Sequence, residues 1–228
     1  MPTKYDFQID TIKPNTAHGK VLSHIKPGST VLECGCAAGY MTRFMNVKLR
    51  CEVSIVEIDE DAYEKAKQYS ERSCRADLMD SQWYWFYQDK RFDYVLFADV
   101  LEHLTDPLSV VKKAVNLMKD DGQMIVSIPN ICHNDILIRM FYDDFRYTRY
   151  GILDEGHLRF CGLNQIEAFF NEAGLKIEQI ESVIIQTGST EQRFVNKEID
   201  SDLMKALRRR QHGEDFQYVI TLTRRNNT

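Results

Sequence analysis

Val31-Leu32-Glu33-Cys34-Gly35-Cys36-Ala37-Ala38-Gly39-Tyr40 reads as a short apolar strand running into a tight loop of small residues. Small side chains let a ligand approach the backbone, and a helix that starts after such a loop presents free N–H groups to it. Taken alone, this predicts a nucleotide-like ligand. The dinucleotide-binding fingerprint needs G-x-G-x-x-G, and the stretch has E-x-G-x-A-x-G instead. Glu33 puts a carboxylate inside the site, where it would repel a pyrophosphate. A ligand with an amino-acid tail and no phosphate accepts that carboxylate through its ammonium group.

Further apolar runs follow the first. Glu52 to Val56 ends at Glu57, 22 positions after Gly35. Asp93 to Ala98 and Gln123 to Ile128 are rich in β-branched and aromatic residues, as strands buried on both faces are. A weaker run surrounds Cys74-Arg75-Ala76 and leads to Asp77-Leu78. Helical patterns lie between them. Asp59 to Ser70 starts with acids, and Asp106-Pro107 supplies an N-cap with proline at the first helical position. Leu163 to Glu172 ends at Ala173-Gly174. Asp120-Asp121-Gly122 reads as a turn. Strand, helix, strand at this spacing predicts right-handed βαβ units in a parallel sheet. Lys176 to Ile185 and Tyr218 to Thr223 read as closing strands at a mixed edge, with a helical, charged stretch from Gln192 to Asp215 between them.

Composition narrows the class. The 228 residues are 43% hydrophobic and 28% charged, with a formal net charge of -5, values of an ordinary soluble domain. The mild acidity gives no support to nucleic-acid binding. No apolar run reaches the roughly 20 residues that span a bilayer, and the first ten residues do not form a signal peptide. Six scattered cysteines without paired C-x2-C spacing fit reduced thiols. The expectation is a cytoplasmic protein with no membrane insertion and no nucleic-acid partner; a homodimer stays open. The sequence holds no tight cluster of acids, so no metal site is expected.

The motifs together resemble those of the class I S-adenosylmethionine-dependent methyltransferases over most of the chain. VLECGCAAGY is similar to their first glycine-rich motif, VEIDEDAYEKAKQ to the acidic end of their second strand, and RADLMD to the adenine-contact motif. FDYVLFADVLEHLTDP and LMKDDGQMIVSIPN are similar to the fourth- and fifth-strand motifs. GILDEGHLRFCGLNQIEAFFNEAGL resembles a subgroup found among small-molecule and surface-glycan enzymes, which suggests polysaccharide biosynthesis. Ala37 departs from the pattern, standing where the family usually has its middle glycine.

The resemblance implies a Rossmann-like, doubly wound α/β fold. It would have a seven-stranded, mostly parallel sheet with one antiparallel edge strand, and helices on both faces. One methyltransferase domain would span 1–228. Residues 1–28 would cover the cofactor, and an insertion or lid at 130–162 would form the acceptor pocket. By the same resemblance, Glu33, Gly35, Ala37 and Gly39 surround the methionine part of S-adenosylmethionine, and Glu57 with Ile58 takes the ribose. Asp77 and Leu78 take the adenine. Ala98 and Asp99 lie beside the sulfonium, and Thr16 and His18 lie over the carboxylate end. The implied reaction is in-line methyl transfer to an oxygen, less readily a nitrogen, of a small polar, anionic or sugar-related metabolite, releasing S-adenosylhomocysteine.

Histidines titrate near neutral pH and commonly serve as general bases. His103 follows the fourth strand and His133 the fifth, where open α/β sheets bind ligands, and His157 sits in the insertion at Gly156-His157-Leu158-Arg159-Phe160; the three are the catalytic candidates. Asn130, Tyr147, Arg149 and Arg159 lie in the aromatic and basic insertion and are the acceptor-binding candidates. The cluster Trp83-Tyr84-Trp85-Phe86-Tyr87 reads better as a helix packed on the sheet than as a ligand platform. Arg208-Arg209-Arg210 reads as a solvated helix face. A regulatory partner that only binds the cofactor and a nicotinamide-dependent oxidoreductase are the alternatives.

Overall fold

The computed structural model describes residues 13–194 and 198–225. Its seven strands form one sheet in the order β3-β2-β1-β4-β5-β7-β6. The strands are β1 (Thr30–Cys34), β2 (Glu52–Glu57), β3 (Arg72–Arg75), β4 (Phe92–Ala98), β5 (Met118–Pro129), β6 (Leu175–Ile184) and β7 (Asp215–Arg224). Strands β1 to β5 pair in parallel. Strand β7 runs antiparallel to both β5 and β6. The antiparallel strand thus sits at that edge of the sheet, one place in from the outermost strand.

Helices cover both faces, so the sheet is doubly wound. On one face lie α1 (Ala17–Ser23), α2 (Tyr40–Val47) and α3 (Glu60–Ala66), packed through Leu22, Met45 and Ala66 against Val31, Ile55 and Leu96. On the other lie α4 (Gln82–Tyr87), α5 (Pro107–Val115) and α7 (Leu163–Glu172), packed through Trp83, Val111 and Phe170 against Leu32, Phe97 and Ile220. Each fully buried side chain of this size contributes about 1.5–3 kcal/mol. Trp83 and Tyr87 are wholly buried. Trp83 Nε1 donates to the Leu78 carbonyl at 2.9 Å and the Tyr87 hydroxyl to the Ile55 carbonyl at 2.8 Å. Trp83 and Tyr87 thus anchor the aromatic run to the sheet, while Trp85 on the same helix is exposed.

Capping agrees with the sequence signals. The Thr16, Asp59 and Asp106 side chains accept from the backbone N–H of Gly19, Ala62 and Ser109. Three local expectations change. Asp120-Asp121-Gly122 does not break the chain between helix and strand: β5 begins at Met118 and carries these residues as a bulge, where pairing jumps from Phe92–Met118 to Tyr94–Gln123. A Cβ at Gly122 would stand 2.9 Å from the Phe92 carbonyl oxygen, so the bulge needs glycine. The stretch from Gln192 to Asp215 holds only one short helix among its described residues, α8 (Ser201–Arg208). Arg210, just beyond it, is not on a solvated face. It donates to the Cys132 carbonyl and to Asn134 Oδ1, both at 2.8 Å.

Residues 130–162 contain α6 (Asn134–Phe141) and a loop folded over a small cluster of Ile136, Ile152 and Leu153. No helix among the described residues is long and apolar enough to cross a membrane. The expected covering segment 1–28 is described only from residue 13 onward.

Candidate functional site

The C-terminal ends of β1, β2 and β4 open into a cavity of about 500 Å3, where open α/β sheets bind ligands. The loop after β1 is built from left-handed residues: φ is 73° at Gly35, 47° at Ala37 and 77° at Gly39. At Gly35 a Cβ would lie 2.6 Å from Val100 Cγ2, and at Gly39 2.6 Å from the Ala66 Cα. Gly35 faces the cavity, whereas Gly39 is absent from its lining. Gly39 lets α2 start against the end of α3.

Glu57 closes this loop onto the second strand. Its carboxylate accepts from the backbone N–H of Ala37 at 2.7 Å, of Ile58 at 2.9 Å and of Asp59 at 3.0 Å. Glu33 is buried, and its Oε2 accepts from the Thr42 hydroxyl at 2.6 Å. Burial, and to a lesser degree the neighbouring Glu57, pushes the Glu33 carboxyl up to about 8, while the Thr42 bond works against that rise. Asp77 and Leu78 line the same cavity beside Ile58 and Ala37. Asp77 Oδ1 also caps the Met79 N–H at 2.8 Å.

At the end of β4, Ala98 and Asp99 line the cavity's inner wall. Asp99 adopts a left-handed φ of 57°. Its Oδ1 accepts from the Ser127 hydroxyl at 2.6 Å and from the Gln217 amide. Helix α1 places His18 at the rim, Nε2 3.7 Å from Asp99 Oδ2 and the ring edge-on to Tyr40. Burial lowers the His18 pKa, and the Asp99 charge opposes that. Thr16 caps α1 and does not reach the cavity lining. Sequence reading missed Thr42, Ser127 and Gln217. All three act as hydrogen-bond partners of the acids, and no local pattern marks them.

The three candidate histidines separate. His103 lines the cavity. His133 does not: it is fully buried, its Nδ1 accepts from the Asp135 N–H at 3.1 Å and its Nε2 donates to the Ile185 carbonyl at 2.8 Å. Both ring nitrogens are thereby committed to the backbone, so it holds the start of α6 in place. His157 is buried behind His103, the ring centroids 4.7 Å apart. A paired contact brings it there: the Glu102 carbonyl accepts the N–H of Leu158 at 2.8 Å and of Arg159 at 3.0 Å. One ligand atom from each of Glu102, His103 and His157 lies within 4.8 Å of the others. No local pattern marks such a group, because His157 lies 55 residues beyond Glu102 and 54 beyond His103.

Of the acceptor-binding candidates, Asn130 is fully buried and bonded to the Asp215 carbonyl and the Cys132 N–H. Tyr147 and Arg149 are exposed and outside the cavity. Arg146 pairs with Asp144. Arg159 borders a second pocket of about 270 Å3 with Leu101, Glu102, Thr105, Ile128 and Phe169. The turn Leu101–His103 is shared between the two, Leu101 and Glu102 lining this pocket and His103 the first cavity.

The cavity's chemistry suits a cationic nucleoside. Glu33, Glu57, Asp59, Asp77 and Asp99 line it, and no lysine or arginine does among the described residues. Phosphate is disfavoured there; hydroxyl, ammonium and sulfonium groups are favoured.

A family model described as a methyltransferase domain matches residues 14–180. A ubiquinone biosynthesis O-methyltransferase from Xanthomonas campestris is 28% identical over 107 residues, 46% of this chain and 44% of that protein. One from Thiobacillus denitrificans is 25% identical over 156 residues, 67% of each. The match thus spans about half of several curated relatives. An S-adenosylmethionine-dependent methyltransferase structure from Archaeoglobus fulgidus superposes with a TM-score of 0.62 at 15% identity, covering 89% of both chains. The acidic loop after β1, the acid closing β2 and the sheet order all agree with these matches: the chain belongs to the class I S-adenosylmethionine-dependent methyltransferase family.

Proposed function

We propose that this chain transfers a methyl group from S-adenosylmethionine to an oxygen of a small molecule. The observation that carries the reading is the acidic, phosphate-rejecting cavity at the ends of β1, β2 and β4. Glu33 receives the ammonium end, Glu57 the ribose hydroxyls, and Asp77 with Leu78 the adenine. Ala98, Asp99 and His18 flank the sulfur. When bound, the cofactor supplies an electrophilic methyl group. The chain's own residues orient the two reactants and exclude water.

Residues 130–162 form the acceptor side of a single domain in this reading. The pocket beside Arg159, apolar along Leu101, Ile128 and Phe169, receives the acceptor's body. With Arg146 paired to Asp144 and Arg149 outside the cavity lining, Arg159 is the basic candidate that borders the acceptor pocket and would meet an anionic group. The curated relatives named as O-methyltransferases favour an oxygen acceptor.

Calorimetry with S-adenosylhomocysteine and with NAD tests the reading. Micromolar binding of the first and none of the second is expected. The opposite pattern would favour an oxidoreductase and remove this proposal. Transfer of a labelled methyl group to a phenolic or alcoholic acceptor panel separates an enzyme from a cofactor-binding partner.

A further inference from the structure

Glu102 is 3% exposed, and neither of its carboxylate oxygens has a hydrogen-bond partner. A buried, unpaired carboxylate is costly, so the group takes up a proton or a cation. Two histidines face it. His157 Nδ1 lies 3.0 Å from the Ile152 carbonyl oxygen and His103 Nδ1 2.9 Å from that of Gly156. A carbonyl only accepts, so each Nδ1 carries a proton and points it at the backbone, which leaves Nε2 as the ring nitrogen that can meet an ion. Metal-bound imidazoles are held in this way, one N–H on a carbonyl and the other nitrogen on the ion.

The distances come close. His157 Nε2 stands 3.9 Å from Glu102 Oε1. That is too long for a hydrogen bond and about 0.5 Å wider than the roughly 3.4 Å between two tetrahedral donors sharing an ion through bonds of about 2.1 Å. One ligand atom from each of the three side chains falls within 4.8 Å of the others, so a small side-chain rotation completes the set.

We infer that Glu102, His103 and His157 bind one divalent transition-metal ion at the rim of the cofactor cavity. Two imidazoles and one carboxylate suit zinc, iron(II), cobalt or manganese better than magnesium or calcium, which prefer oxygen. Three protein ligands leave positions open. His103 lines the cofactor cavity and Glu102 the second pocket, so those positions face the seam between the two. An acceptor hydroxyl held there would be acidified by the ion. That use rests on the methyl-transfer reading; the metal site does not.

The test uses the full chain stripped with a chelator. Zn2+, Mn2+ and Mg2+ are titrated by calorimetry, and Co2+ by visible absorption. One Zn2+ or Co2+ per chain is expected, with Mg2+ at least tenfold weaker. Glu102→Gln and His157→Gln should each weaken Zn2+ at least tenfold and erase the cobalt bands. Circular dichroism confirms folding, and His103→Gln, on a half-buried side chain, replaces a variant that does not fold. Stoichiometry far below one, or unchanged Zn2+ affinity in the folded variants, overturns the site. S-adenosylhomocysteine is titrated into the same samples. Metal binding without it overturns the cofactor reading alone, and its binding without metal overturns the metal site alone.

Discussion

The Glu57 carboxylate holds the backbone N–H of Ala37 at 2.7 Å, fastening the left-handed turn of the first loop to the end of the second strand. The residue proposed to meet the ribose therefore also shapes the loop that meets the methionine end. Glu57→Gln replaces one acceptor oxygen by an N–H donor facing other donors. Stability should fall by about 1–3 kcal/mol, and S-adenosylhomocysteine affinity at least tenfold. Thermal melting and calorimetry on one sample read both.

Ala37 carries a φ of 47°, where an L side chain is strained. Ala37→Gly should stabilise the chain by about 0.5–1 kcal/mol after the greater freedom of glycine in the unfolded state is counted. That corresponds to a rise in Tm of about 1–4 °C for a chain of this size. A fall in Tm on scanning calorimetry would contradict the strain.

Glu33 gives a pH signature. The folded chain keeps its proton up to about pH 8, while an unfolded chain releases it near 4.5. The folded state binds more protons between these values, so stability declines as pH rises from about 4.5 to 8. A ligand ammonium prefers the ionised form, so S-adenosylhomocysteine should bind more tightly over the same rise, by up to about tenfold per pH unit. Glu33→Gln should flatten both profiles, which chemical denaturation and calorimetry across pH 6–8 would record.

His133 should behave as scaffold. His133→Ala removes two buried hydrogen bonds and should cost about 2–3 kcal/mol. S-adenosylhomocysteine affinity should stay within about twofold of the parent, since the ring lies outside the cavity. A large loss of affinity in a variant that remains folded would return His133 to the site.

The cofactor side was legible because its acids sit at strand ends. Glu33 and Glu57 end apolar runs, Asp77 follows the weaker strand Arg72–Arg75, and the strand order of the fold brings those ends together. The acceptor side was not. His133 follows a strand and precedes a helix, so sequence position alone could not tell a catalytic ring from a helix cap. Glu102 and His157 meet through tertiary contacts between the insertion and the turn after β4, the Leu158 and Arg159 N–H groups on the Glu102 carbonyl and the His103 ring on the Gly156 carbonyl. Asp120-Asp121-Gly122 looked like a chain reversal because a bulge and a turn share the same residues.

Strand β7 is the last in the chain order, yet it lies between β5 and β6 and sends Gln217 to Asp99. A nascent chain that has emerged only as far as residue 214 has β6 without a neighbour and the open edge of β5 available to other strands. During synthesis the pocket's inner wall therefore waits on the ten residues Asp215–Arg224, and a ribosome stalled just before them would hold a chain prone to association.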